Sequence, residues 1–543
     1  MSSSTAIPGL YYSFVRSSEE KSPLRTDVAG FFGLTKRGPQ RRLLADRGKP
    51  IEAIRVEGWR EFVNVFGGLT PEASTPYAVR GYFENWAQSA HVVSLLGEDS
   101  TAASGQWIAG TLDSTGKSPD QNWVGDSRLP ALSFALEASS PGDWANGMTV
   151  EVRYWARGAS GSPELEIEIK PPDEPAELLT GIHPETVVEE VNAASLYVEL
   201  TADPLPNGLS PGDLRNPRGP RYYAWKPVAL SNGTSELPSK RQFLEAVAAL
   251  GDEAEVALVV SPDLYNSTLP LTPNDQIDVM EAMLKQAEDL HDRQVILDVP
   301  PQKSATVCAL KWTQFLREYF LDEHLLRHAA VYHPSLFVPD PLGTVEEPLR
   351  LVPNSGLVTG VISRLDKQLG PYATPANAQI YEAVDLSRSL NADEQTALYN
   401  GGINLLKCSP GRGLLVWGGR VLGALDNQLG GFLAHRRLIH VLVRAIRRVA
   451  EPLVFDTNGP QLWLAFVRSI TSVLLEAYRA GALKGVRPEE AFQVKCDAET
   501  NPPEQVDNGL CVCEVKLAPA VPMEFITLRV AVSGDGTLEV FES

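Results

Sequence analysis

EVALVVSPDLYNSTLPLTPNDQIDVMEAMLKQAEDLHDRQVILDV, residues 255–299, contains a strand, a helix and a second strand in one reading. Glu255 to Val260 is a short apolar run, too short for a buried helix and rich in Val, so it reads as a buried strand. Ile277, Met280, Leu284 and Ala287 then recur at helical spacing. Gln294 to Val299 returns to the strand pattern. Strand, helix and strand at this separation predict a parallel sheet covered by helices, so the expected fold class is α/β. The same grammar appears upstream. Asp27 to Leu34 (DVAGFFGL) reads as a buried strand, and Thr75-Pro76 as a helix start with Thr as N-cap. Val79, Phe83 and Trp86 share the face of that helix, and His91 to Leu96 (HVVSLL) is the following strand.

Composition changes between these two α/β pieces. Residues 101–240 are rich in Ser, Gly, Pro and Asn, with short alternating runs at Met148 to Tyr154 and Glu164 to Ile169. They are expected to form a β-rich insertion that interrupts the α/β domain. The α/β domain then comprises 26–100 and 241–400. After Gly401 the pattern shifts again, to a strand at Gly413 to Trp417 and helices at Phe432 to Val449 and Leu462 to Tyr478. This predicts a C-terminal α+β domain over 401–523. Both ends carry alternating stretches. Leu10, Tyr12 and Phe14 precede a polar tether, Arg16 to Pro23, and define an N-terminal arm over 1–25. Ile526, Leu528 and Val530 lie in FITLRVAV and define a C-terminal arm over 524–543. A lone strand cannot stabilise itself, so each must pair with something. The competing reading closes Phe525 to Phe541 as an intrachain hairpin around Ser533-Gly-Asp-Gly536.

The chain of 543 residues carries a formal net charge of −20, which argues against a nucleic-acid or membrane-surface binder. No apolar run is long enough for a membrane span, and the first residues lack a secretory pattern, so cytoplasmic assembly is expected. Five cysteines include the pair Cys511 and Cys513, on one face of a strand but without a second pair to complete a zinc site. They read as buried small hydrophobes. No phosphate loop and no nucleophile elbow is present. His324 and His328 stand four apart near His333, but not in the zinc-protease arrangement. Asp298 ends a strand, where α/β enzymes place catalytic acids, yet no base or nucleophile accompanies it. No catalytic residue, metal or cofactor is expected.

The ordered series of motifs resembles the contractile tail sheath family of myophages, R-type bacteriocins and extracellular contractile injection systems. It runs from Pro8-Gly9-Leu10-Tyr11 and VAGFFGLTKRGP (Val28 to Pro39) through Trp59-Arg-Glu-Phe62, Phe66-Gly-Gly68 and YAVRGYFENWAQSAHVV (Tyr77 to Val93). PGDWANG (Pro141 to Gly147), HPSLFVPDP (His333 to Pro341), VPNSGLVTGVISRLD (Val352 to Asp366), TPAN (Thr374 to Asn377) and NGGINLL (Asn400 to Leu406) follow. GRGLLVWGGR (Gly411 to Arg420), AFQVKCD (Ala491 to Asp497), Thr500-Asn501-Pro502 and PMEFITLRV (Pro522 to Val530) complete it. Two segments depart from the family pattern, Gly418-Gly-Arg-Val-Leu-Gly423 and Phe455-Asp-Thr-Asn458. They leave open a bulk sheath protein or a specialised paralogue.

The resemblance implies a subtilisin-like α/β core without a protease triad, and a structural subunit rather than an enzyme. It implies stacked hexameric rings around an inner tube protein, with baseplate and cap proteins as further partners, and neither nucleic acid nor membrane insertion. Terminal strands would join neighbouring subunits. A non-contractile scaffold reusing the fold, or an α/β enzyme, are the alternatives. The helix Phe432 to Val449 carries Arg437, Arg444 and Arg448 at spacings of seven and four, hence on one side. In the family this domain lines the lumen, so the three arginines are expected to face the tube; a solvated basic face is the other reading.

Overall fold

The computed structural model describes residues 25–44, 51–109, 132–156, 163–183, 186–202, 222–224, 227–423, 431–450, 457–508, 510–518, 526–532 and 538–542. Leu10, Tyr12 and Phe14 lie outside them. At the centre is an eight-stranded sheet in the order Gly413–Trp417, Ile403–Ser409, Ala329–His333, Gln294–Asp298, Val256–Val260, Val28–Gly33, Ala90–Ser94, Ile54–Val56. The six inner strands are parallel, and the two edge strands are antiparallel to their neighbours. The continuous Val, Ile and Leu runs follow from this position, because both faces of the parallel strands are covered.

Alternation along Val28–Gly33 shows how the layers form. Phe31 packs edge-on to Tyr82 on one face, at 5.2 Å between ring centroids, and Phe32 packs edge-on to Phe243 on the other, at 6.0 Å. Helices Lys240–Gly251, Pro273–Leu290 and Thr306–Tyr319 cover the Phe32 side. Trp59–Phe66, Thr75–Glu84 and Ser355–Leu369 cover the Phe31 side. The two pieces read as α/β, 255–299 and 27–96, share this sheet. Strands Ile403–Ser409 and Gly413–Trp417 belong to it as well, whereas the sequence boundary at Gly401 assigned them to the next domain. The helix Ala392–Asn400 ends at Gly401, and the chain returns parallel to Ala329–His333, so Gly401-Gly402 is a turn inside the fold.

The strands between residues 104 and 229 form sheets of their own. One contains Thr149–Ala156, Pro163–Lys170, Glu177–Ile182, Tyr222–Ala224 and Val228–Ala229; another contains Ser104–Ala109, Leu132–Ala138 and Val198–Ala202. They close around a separate core that includes Leu136, Val150, Ile167 and Val191.

Beyond Trp417, helices Leu433–Ala450 and Pro460–Arg479 pack with a four-stranded antiparallel sheet, Phe492–Lys495, Cys511–Leu517, Ile526–Val532 and Leu538–Glu542. Leu438, Leu442, Phe466, Ile470, Leu474 and Val515 fill the core between them. Within the chain, Ile526–Val532 is therefore not a free arm. It lies between Cys511–Leu517 and Leu538–Glu542, as in the hairpin reading. Among the described residues no helix is long and apolar enough to cross a membrane.

One close approach sets the packing of the Phe31 face. Helix Ser355–Leu369 meets Thr75–Glu84 through glycines. A Cβ at Gly356 would stand 2.5 Å from the Ala78 carbonyl oxygen, and one at Gly360 would stand 2.6 Å from that of Tyr82. Backbone cannot yield as a side-chain tip can. Gly356→Ala should cost about 1–3 kcal/mol by forcing the helices apart. Gly68→Ala, with nothing within 4 Å of the added methyl, should be close to neutral. Chemical denaturation of the two variants beside the parent checks this.

Candidate functional site

Open α/β sheets place their chemistry at the carboxyl ends of the strands, near the point where strand order reverses. Here the chain runs from Val28–Gly33 to Ala90–Ser94 on one side and later to Val256–Val260 on the other, so the reversal lies beside Gly33. Asp263 occupies it, fully buried. Its carboxylate accepts hydrogen bonds from Leu34 N at 3.0 Å, Ser74 N at 2.6 Å, Thr75 N at 3.2 Å and Thr75 Oγ1 at 2.7 Å. Asp263, not the Thr75 hydroxyl read as N-cap in the sequence, thus satisfies the start of helix Thr75–Glu84. Asp298 behaves alike. It accepts from Ser355 N at 2.9 Å and from the Ser355 hydroxyl, at the start of Ser355–Leu369. Burial pushes the Asp298 carboxyl up to about 6, against the pull of those bonds. Both acids fasten helices to strand ends.

The histidines do not gather either. The helix near His324 is a single turn, Glu323–Leu326, so His328 lies beyond its end. His324 is exposed, while His328 is buried and His333 sits buried in Ala329–His333.

The opposite ends of the strands hold the larger polar constellation, and the arginine helix Leu433–Ala450 makes it. Arg437 is 3% exposed and Arg444 is 7% exposed. Arg437 forms a buried ion pair with Asp366, one arm of it 2.8 Å long, and donates to the Thr26 carbonyl at 2.6 Å. Arg444 donates to the carbonyls of Arg25 at 2.6 Å, Glu255 at 3.2 Å and Val256 at 2.5 Å. Asp292, just before Gln294–Asp298, lies within ion-pair range of Arg293, Arg444 and Arg447. Arg436 donates to His328 Nε2 at 3.2 Å, which leaves His328 Nδ1–H to donate to the Arg293 carbonyl at 3.3 Å. The expected tube-facing stripe is therefore corrected. Arg437 and Arg444 are spent inside the chain, and of the three only Arg448 is partly exposed.

The same helix turns Leu438, Ile439, Leu442, Val443 and Ile446 into the C-terminal core. Both of its faces are occupied, and it joins that core to the starts of the parallel strands. Sequence reading missed Asp292 and Asp366 as partners. A signal existed, since arginine pairs at i, i+3 and i, i+4 in a strongly acidic chain ask for carboxylates, but nothing local says which.

Energetics follow from burial. Burial holds the Asp366 carboxyl up near 6 despite Arg437, and lowers Arg444 to about 10 despite Asp292. Removing one member leaves an uncompensated buried charge. Asp366→Ala should cost about 3–5 kcal/mol, and Asp366→Leu with Arg437→Met should recover most of it. A double-mutant cycle by urea unfolding measures the coupling.

His440 stacks flat on His328, with centroids 5.4 Å apart, and burial keeps both well below the usual 6.5, with Arg436 pushing the same way. The unfolded chain takes up these protons near pH 6.5 and the folded chain does not. The stability this contributes is present above that pH and is lost as pH falls below it. Asp298 and Asp366 work oppositely below about 6, where the folded state binds protons first. The thermal midpoint should therefore fall as pH drops from 7 to 6, and His440→Phe should shallow the fall. Scanning fluorimetry across pH gives the slope.

The comparisons with known proteins fall on this same region and on the whole fold. Residues 426–533 match the phage tail sheath C-terminal domain family. The tail sheath protein of Vibrio phage KVP40 is 30% identical over 194 residues, 34% of this chain and 27% of that protein. That of Enterobacteria phage T4 is 25% identical over 192 residues, 34% of this chain and 28% of that protein. The alignments thus span little more than a quarter of the length of these two relatives. Among solved structures, the sheath tail protein of Desulfitobacterium hafniense superimposes with a TM-score of 0.58, at 12% identity, over 97% of this chain and all of its own. The helical sheath of the anti-feeding prophage in its contracted state superimposes with a TM-score of 0.52, at 18% identity, over 96% of this chain and 98% of its own.

Proposed function

We propose that this chain belongs to the contractile tail sheath family and is a structural subunit of the sheath of a phage-tail-like injection machine. It polymerises as stacked hexameric rings around an inner tube and contracts to drive that tube into a target. The observation that carries this reading is the family match over 426–533, the domain that the arginine helix fastens to the α/β sheet. Contraction as a two-state switch of a lattice needs subunits that keep their own shape while their joints move. A helix buried on both faces supplies the first requirement.

Terminal strands supply the second. Residues 1–25, with Leu10, Tyr12 and Phe14 in alternation, are proposed to add a strand to a neighbour's sheet. Phe492–Lys495 and Leu538–Glu542 are the outer strands of the C-terminal sheet among the described residues, and so are its candidate receiving edges. Ile526, Leu528 and Val530 pair within the chain, and any exchange there would require this hairpin to open. The tube, baseplate and cap proteins, a subtilisin-like topology for the α/β sheet, and a phage-tail-like particle assembled in the cytoplasm belong to the same proposal.

Co-expression with a small β-barrel tube protein tests it. Electron microscopy should show long hollow cylinders of six-fold symmetry, and deletion of residues 1–20 should abolish them while the chain stays folded. A strictly monomeric product with the tube present would sink the reading. Cylinders that never shorten under any trigger would move it to a non-contractile scaffold.

A further inference from the structure

The C-terminal sheet gathers three of the five cysteines. Cys496 directly follows strand Phe492–Lys495, and Cys511 and Cys513 lie on strand Cys511–Leu517. Pairing of Lys495 with Glu514 brings Cys496 level with Cys513. All three sulfurs lie within 4.8 Å of one another, and Cys496 Sγ is 3.9 Å from Cys511 Sγ. The exposures are 9%, 4% and 3% for Cys496, Cys511 and Cys513. We propose that Cys496, Cys511 and Cys513 bind one thiophilic metal ion, Zn2+ or Cu+, inside the C-terminal domain.

Geometry favours this over three thiols that merely fill space. Alternate residues of a strand rise by about 6.6 Å, so side chains standing straight off the sheet would keep Cys511 and Cys513 that far apart. Both instead lean together and toward Cys496. Thiolates about 2.3 Å from a tetrahedral zinc stand about 3.8 Å from one another. The Cys496–Cys511 pair already stands at 3.9 Å, and the other two pairs, within 4.8 Å, need close by no more than about 1 Å.

The surroundings also suit a charged sulfur. Asn501, 2% exposed, points its amide Nδ2 at Cys496 Sγ from 3.7 Å and donates to the Val512 carbonyl at 3.0 Å. Its Oδ1 accepts from Val512 N at 2.6 Å. Asn501 thus ties its own segment to strand Cys511–Leu517 and holds its amide beside Cys496, as outer-shell groups do for metal thiolates. Among the described residues no fourth Cys, His or carboxylate atom joins the group. Three sulfurs without a fourth protein donor fit trigonal Cu+, or Zn2+ completed by water. Bound there, the ion would cross-link the segment after Phe492–Lys495 to the middle of its sheet.

Metal content of the full chain tests the site. Cys308 and Cys408 are exposed, so the background carries Cys308→Ser and Cys408→Ser to remove adventitious ligands. The reduced protein is incubated anaerobically with Zn2+ or with Cu+, passed through a desalting column and assayed by mass spectrometry, with thiols counted by a disulfide reagent. One ion per chain is expected, with three thiols protected until a chelator is added and a higher thermal midpoint in the loaded form. Loading by zinc alone or by copper alone supports the site and identifies the ion. Cys513→Ser should lower the loading at least about tenfold; if that variant does not fold, the loading and thiol protection of the parent decide. Three reactive thiols after exposure to both metals, or a disulfide within the cluster in their place, overturns the proposal.

Discussion

The seam between the arginine helix and the starts of the parallel strands is the constraint on which the rest of the chain depends. Arg444 alone reaches the carbonyls of Arg25, Glu255 and Val256, and Arg437 closes on Asp366. The bond to the Arg25 carbonyl joins segments 419 residues apart in the chain, and those to Glu255 and Val256 span 189 and 188 residues. A hydrophobic interface of the same area would tolerate sliding. Guanidinium groups aimed at particular carbonyls and carboxylates do not, because each lost bond leaves a buried charge unsatisfied. The seam therefore fixes orientation more than it adds stability.

This division suits the proposed work. In the proposed sheath, force would cross each subunit through this seam. A rigid joint would transmit it, leaving compliance to the strands proposed to pair between subunits. At the other ends of the strands, where an enzyme of this architecture would hold its reacting groups, Asp263 and Asp298 tie helices to the sheet. The two ends of one sheet are both committed to holding the fold together.

Much of this was legible in the residues. Runs such as EVALVV and QVILDV specify covered parallel strands whatever surrounds them, and the stripe Phe466, Ile470 and Leu474 fixed which face of its helix is buried. Long-range pairing was not legible. Arg437 and Arg444 look like a surface stripe because a sequence displays charge but not its partner; Asp366 lies 71 residues from Arg437, and Asp292 lies 155 from Arg447. Cys496 was invisible as a companion of Cys511 and Cys513 because strand pairing, not spacing, brings it there. The Gly401-Gly402 turn mimicked a domain boundary for a similar reason. Glycine marks a change of direction, and only the sheet says whether the chain leaves the domain or returns to it.

The most direct test of the account is a cryo-electron reconstruction of the assembled protein with its tube. The account predicts the arginine helix inside each subunit, with Arg437 on Asp366 and Arg444 on the Arg25 and Val256 carbonyls, and the same contacts before and after contraction. A map in which Arg437 and Arg444 face the lumen, or in which the helix parts from the strand starts as the sheath shortens, would contradict it.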